Sequence, residues 1–200
     1  MGYRALKFSA FLRAANDLAG DTVSVDKLIT LVVEHHHGVG AITMRWLPNS
    51  ENALDGVFLW LEEDRTSPYD EPFNDAVIFI NDKHRQDDAM RRFVAAKELM
   101  HVFDEEVSQT RDATSFRLLL SEIGSSPLFE DGSLAYRADR IALWKAILAL
   151  VPPRIRNPYK AAWANSDIKA HELGVRWEIP EQVAAAAMGD YYDKMLLRLT

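Results

Sequence analysis

The run Arg92-Phe93-Val94-Ala95-Ala96-Lys97-Glu98-Leu99-Met100-His101 holds the residues with the clearest chemical potential in this chain. Its last five positions have the spacing of the zinc helix His-Glu-x-x-His, with lysine in place of the first histidine. In that pattern two imidazoles one helical turn apart bind the metal, and the glutamate serves as general base. A protonated lysine has three donors and no acceptor, so it cannot ligate a metal. Lys97 therefore decides what chemistry remains to Glu98 and His101.

On a helical wheel Met90, Phe93, Val94 and Met100 share the side that should face a core. Lys97, His101 and Asp104 fall in the middle of that same side, at i, i+4 and i+7. An ordinary surface lysine lies opposite an apolar stripe, and this one does not. Unpaired buried charge is expensive, so the three groups need partners. Two readings compete. One is an internal salt bridge from Lys97 to Asp104 or to a carboxylate on another helix. The other is a polar site in a cleft.

The surrounding pattern predicts the elements that position this helix. Leu6, Ala10, Leu12, Ala15 and Leu18 have helical spacing over residues 4–18. A second helix is expected after Ser24 as N-cap, through Leu28, Ile29, Leu31, Val32 and Val33, stopping at Gly38. Residues 41–47, 56–61 and 76–80 are β-rich runs that predict a small, mostly antiparallel sheet. Residues 62–75 hold six acidic side chains against a lone Arg65, and read as an exposed loop. Helices are expected over 86–106, 112–123, 134–150, 166–173 and 181–198. Pro152-Pro153 breaks the third of these, and Pro180 sits at the first turn of the last. The fold class is α+β. A single domain over 1–200 is expected: a helical part to about 38, sheet and motif helix from about 40 to 106, and a helical part from about 110.

The 200 residues, 48% of them hydrophobic and 26% charged, are enough for one domain with a real core. The chain has no cysteine, which excludes disulfides, thiolate metal sites and cysteine nucleophiles, and fits a cytoplasmic setting. No apolar run is long enough to span a bilayer, and residues 1–7 lack a signal peptide's pattern. A net charge of −7 argues against direct nucleic-acid binding. The basic grouping Arg137, Arg140, Arg154 and Arg156 reads as solvated helix faces. His35-His36-His37 ends a helix, where positive charge suits the dipole. His84 is expected to be exposed. The second His-Glu pair, His171-Glu172, has Val175 where a second histidine would stand, so His171 reads as a surface or capping residue. Trp60, Trp144, Trp163 and Trp177 read as packing groups.

With Ile78-Phe79-Ile80-Asn81 ahead of it, the motif run resembles the ImmA/IrrE family of metallopeptidase-like proteins. The family pattern is a strand ending in Asn, a spacer, then Arg-Phe-x-x-Ala-His-Glu-x-x-His on a helix, with an acidic third ligand on a later helix. The counterpart of that later helix is the run Asp139-Arg140-Ile141-Ala142-Leu143-Trp144, which ends at Pro152. Asp139 then stands at the ligand position; a register one turn earlier would put Ala135 there and leave no ligand. Val175, Ile179-Pro180 and the alanines after Val183 resemble the family's following short helix, turn and helix. As an order of elements the resemblance covers about residues 25–190; its motifs are confined to 78–104 and 139–152.

The resemblance implies a zincin-like fold, a small sheet packed on an active-site helix. It implies Glu98 as general base and His101 and Asp139 as metal ligands, with Lys97 replacing the ligand that is lost and Asp104 nearby. Three arrangements then stay open. The Lys97 ammonium could neutralise Asp139, Asp104 or Glu98 in place of a metal. Asp104 could join His101 and Asp139 in an oxygen-rich site for Mn²⁺ or Mg²⁺. A desolvated Lys97 could lose its proton and act as a base. The expected cofactor is therefore none, or a weakly bound divalent metal where relatives hold zinc. The family setting implies a protein partner such as a helix-turn-helix repressor, and no membrane. Three functions follow: a pseudoenzyme that regulates such a partner, an atypical metallopeptidase that cleaves it, or a structural interaction module.

Overall fold

The computed structural model describes residues 7–36, 38–48, 54–61, 74–104 and 134–200. The acidic loop, apart from Asp75, and the helix expected over 112–123 lie outside the described residues. Two helices open the chain. α1 (Phe8–Asp17) buries Phe8, Phe11, Leu12 and Ala15 along one face. α2 (Val25–His35) starts where expected, with Ser24 Oγ accepting from the Lys27 backbone N–H at 3.3 Å. It ends just before Gly38, whose φ of +143° favours glycine.

Three strands follow, β1 (Val39–Leu47), β2 (Gly56–Leu61) and β3 (Asn74–Asn81). Their order is β1-β3-β2. β2 pairs antiparallel with β3, but β1 pairs parallel with it, from Ile42 opposite Ala76 to Leu47 opposite Asn81. The sheet is therefore mixed, not mostly antiparallel as the sequence predicts. The reason lies in β3. It carries the most deeply buried run, Ala76-Val77-Ile78, with Ile80 and Asn81 also buried, and such a strand belongs in the centre. Placing it between β1 and β2 separates two strands that would otherwise pair directly.

α3 (Asp88–Leu99) carries the motif. Asp87 caps it, its carboxylate accepting from the Met90 N–H at 2.9 Å. Every residue from Phe93 to Met100 is buried, because α3 packs on both the sheet and α4 (Leu134–Leu150). The α-helix stops at Leu99 and tightens into a 3₁₀ turn over Met100–Phe103. That is shorter than the expected helix to 106. Arg92 ties the entrance of α3 to the rest of the molecule: its guanidinium donates to the carbonyls of Val23, Trp177 and Glu178.

After α4, which is buried without a break from Ala142 to Leu150, come α5 (Pro153–Arg156), α6 (Lys160–Ala164), α7 (Ala170–Trp177), α8 (Glu181–Met188) and α9 (Tyr191–Leu199). The helix expected over 166–173 begins later and runs on to Trp177. The Lys169 N–H is capped by Glu172 Oε2 at 2.8 Å, and Glu178, at φ 54°, closes the end. The helix expected over 181–198 is two helices, divided at Gly189. The basic grouping is not a solvated face. Arg140 and Arg156 are buried. Arg156 donates to the Ala187 carbonyl and Asp193, and Arg154 donates to the carbonyls of Asn16 and Gly20. These guanidiniums cross-link backbone segments far apart in the chain. Trp144 and Trp177 are core residues, and Trp60 and Trp163 are partly buried against that core.

Candidate functional site: an alternating chain of acids and bases

The site forms where the last turn of α3 meets the first turns of α4. Lys97 is almost wholly buried, at 6% exposure, and its ammonium lies against Asp139 Oδ1. The same Nζ donates to Glu98 Oε1 at 3.0 Å. Asp139 Oδ1 also faces His101 Nε2, at 3.4 Å. On its other side the ring donates from Nδ1 to Asp104 Oδ2 at 2.6 Å. Asp104 Oδ1 accepts from Lys145 Nζ at 3.2 Å, and that ammonium donates also to the Phe103 carbonyl. Acid and base thus alternate along one connected path: Glu98, Lys97, Asp139, His101, Asp104, Lys145. Three carboxyl groups meet three bases, so the buried charges compensate one another.

The path is sealed at its ends and open in the middle. The side chains of Glu98 at one end and of Asp104 and Lys145 at the other are 4%, 4% and 8% exposed, whereas those of His101 and Asp139 are each 19% exposed. Gly56, at the start of β2, makes the inner end possible. A Cβ there would stand 2.7 Å from Glu98 Cγ and 2.7 Å from Val94 Cγ1.

The charges answer to this arrangement. Burial alone would pull the Lys97 ammonium down, but Glu98 and Asp139 outweigh it and hold the pKa well above the ordinary lysine value. Lys97 is therefore a charged group, not a general base. Burial likewise disfavours the His101 imidazolium, and the hydrogen bonds to Asp104 and Asp139 outweigh it, raising the pKa to about 9. Asp139, despite burial, is held below the usual carboxylate value by His101 and Lys97. Burial pushes Lys145 down, and Asp104 offsets this only in part.

All five residues singled out by the sequence come together here. Asp139 is in contact with both Lys97 and His101. Asp104 does not serve Lys97 as one of its expected partners; the 3₁₀ turn swings it to the far side of the ring, where it holds His101 and Lys145. Asp104 and Asp139 lie on opposite nitrogens of one imidazole, so in this arrangement they do not face one ion together with His101. Nor do these residues fit a zinc ion in this arrangement. The ammonium sits against the carboxylates that would face the metal, and a protonated His101 has no lone pair to give. Among the described residues no group of three His, Asp or Glu side chains is poised to hold a metal.

Lys145, Gly56 and Arg92 were not signalled as parts of one construction. His84 was expected at the surface and is half-buried instead, with Nε2 2.6 Å from Asp55 Oδ1, which also accepts from Lys83. Asp55 precedes Gly56, so this cluster pins the start of β2. It is reinforced by the wholly buried Asn81, whose Nδ2 donates to the Leu54 carbonyl and whose Oδ1 accepts from the Lys83 N–H. His171 is exposed on α7, as expected of a surface residue. Comparison with protein-family models, curated proteins and solved structures found no match.

Proposed function

We propose that this chain is a pseudoenzyme of the ImmA/IrrE kind, a zincin-like scaffold that regulates a protein partner by binding it and does not cut it. One observation carries the reading: the Lys97 ammonium sits between Glu98 and Asp139, beside His101, where the motif spacing calls for a metal-facing group. The residue replacing a ligand does not point away from the site; it supplies positive charge to it.

Peptide hydrolysis needs an activated water, a base to take its proton and a cation or donor set for the developing oxyanion. Glu98 Oε1 already accepts from Lys97, and the ammonium is itself held by two carboxylates. Neither group is free for a substrate. What remains is a fold stabilised by internal ion pairing, able to present a surface. The partner class follows from the resemblance: a helix-turn-helix repressor. Direct nucleic-acid binding is not part of the reading, because the net charge is −7 and the arginines nearest to a basic cluster are spent on internal contacts. A cytoplasmic setting fits the absence of cysteine. Among the described residues no helix is long and apolar enough to cross a membrane.

The test takes as candidate partner any helix-turn-helix repressor encoded next to the gene for this chain. Mixed in purified form, the two are expected to form a complex that survives gel filtration with the repressor intact, whether or not a chelator is present. Chelator-sensitive cleavage of the repressor would overturn the reading in favour of an atypical peptidase. No complex at all would overturn the choice of partner.

A further inference from the structure

In the order β1-β3-β2, the outer edge of β1 has no strand beside it among the described residues. From Thr43 to Trp46 every residue of β1 is exposed. Side chains alternate along a strand, so this stretch presents two faces of different chemistry. Met44 stands opposite Ile78 and Trp46 opposite Ile80. Gly56, also opposite Ile80, lies against Val94 and Glu98, so this is the face that α3 covers. The cover reaches β3 and stops short of the end of β1. Ile78 and Ile80 are buried, whereas Met44 and Trp46 are 42% and 40% exposed. The Arg85 guanidinium lies 4.8 Å from the centre of the Trp46 ring and is itself paired with Asp82, which holds the indole in place. On the opposite face Arg45 is exposed, and no carboxylate among the described residues pairs with it.

Edge strands are kept from pairing by prolines, inward charges, bulges or shortness. β1 has none of these over Ile42–Leu47. Its register shift falls before Ile42, and the inward positions Ile42, Met44 and Trp46 are apolar. Arg45 is the one charge on the stretch, and it selects the partner. Two copies of β1 paired antiparallel must keep inward residues opposite inward ones. The longest overlap within Ile42–Leu47 then places the two-fold axis at Met44 or at Arg45. The first sets the two Arg45 side chains diagonally adjacent and the second sets them directly opposite, and like charges so placed destabilise a pair. A strand with acidic residues on that face has the complementary sign. We propose that the outer edge of β1 docks an extended segment of a partner protein in which apolar and acidic residues alternate. The apolar side chains lie beside Met44 and Trp46, and the acidic ones beside Arg45. Main-chain hydrogen bonds to the added strand give affinity, and the alternation gives specificity. This surface stands apart from the Lys97 cluster, and the inference does not require that the partner be a repressor.

The probe is a capped peptide of alternating valine and glutamate, titrated into the full chain by calorimetry, with amide hydrogen exchange read residue by residue. Three control peptides accompany it: one with the same residues grouped in blocks, one with lysine for glutamate, and one N-methylated at alternate positions. The alternating acidic peptide is expected to bind and to slow exchange of the outward amides between Thr43 and Leu47. The grouped and N-methylated peptides should not. Arg45→Glu is expected to weaken binding roughly fivefold and to shift preference to the lysine peptide. Trp46→Ala is expected to weaken it roughly tenfold. Should Trp46→Ala fail to fold, the reversed preference of Arg45→Glu decides, since Arg45 is exposed and bears no load in the fold. Binding of the grouped peptide as tight as that of the alternating one would overturn the proposal, as would no binding of either. Outward β1 amides already protected in the chain alone would also overturn it. Protection that grows with protein concentration would assign the edge to a second copy, and protection independent of concentration would assign it to this chain's own residues.

Discussion

Replacing Lys97 by methionine is expected to cost about 3–5 kcal/mol, the penalty for removing one partner of a buried pair and leaving the other charged. In a chain of this size that corresponds to a fall in Tm of roughly 6–20 °C. The physical cause is specific. Glu98 and Asp139 lose the ammonium between them, and Glu98 is too enclosed for water to take its place. Methionine conserves much of the volume, so the loss reports charge and not a cavity. Two further results separate this from general damage. The deficit should shrink as the pH is lowered and the stranded carboxylates take up protons. A second substitution, Asp139→Asn, should cost much less in the Lys97→Met background than on its own, because the two residues share one interaction. Thermal and denaturant unfolding of the four proteins of this cycle measures the coupling. A Lys97→Met protein as stable as its parent would mean that the ion pair contributes nothing to the fold.

The stability of the protein is expected to fall between about pH 6.5 and pH 9. His101 is responsible. Burial opposes its charge, but Asp104, Asp139 and Glu98 prevail and lift its pKa from the ordinary 6.5 to about 9. The folded state therefore holds the proton more tightly than the unfolded chain. Its contribution is complete below pH 6.5 and is lost as the pH rises through 9. The gap between the two values corresponds to about 3 kcal/mol. Asp139 acts in the opposite sense. With its pKa held down by His101 and Lys97, its contribution is present above the ordinary carboxylate value of 3.8 and is lost in acid. Lys97, raised above the ordinary lysine range, keeps its contribution until strongly alkaline pH. The His101→Gln variant isolates the effect: its unfolding free energy should lack the decline between pH 6.5 and 9 that the parent shows. Parallel profiles for the two proteins would remove His101 from the account.

Much of the site was legible before the fold was known, and for one physical reason. A charged residue inside an apolar helical stripe must have a partner, so Lys97, His101 and Asp104 announced a buried polar cluster. Lys145 gave the same signal. It is the lone charge in the run from Ala142 to Leu150, all of it now buried, but that run was read for its small residues and its proline stop. What no wheel could supply was the 3₁₀ turn. Extrapolating the α-helix past Leu99 puts Asp104 on the same stripe as Lys97; tightening the turn sends it around the imidazole. Gly56 was invisible for a different reason. Its meaning depends on Glu98 and Val94 crossing β2 from a helix some forty positions along the chain. The sheet shows the same limit. The short apolar runs marked β1, β2 and β3 well, but only the packing of α3 against the sheet decides which strand takes the buried centre. The arginines were misjudged because a charged side chain near a helix end looks solvated until the carbonyls it serves are known. Arg154 and Arg156 both reach backbone distant in sequence.

The central claim is that an ammonium does the electrostatic work of a metal here. Elemental analysis of the untagged protein, purified without chelator and without added metal, tests it most directly. The account predicts far less than one zinc per chain, together with a folded protein whose Tm is unchanged by chelator. About one tightly held zinc per chain, with a Tm that drops on its removal, would contradict it.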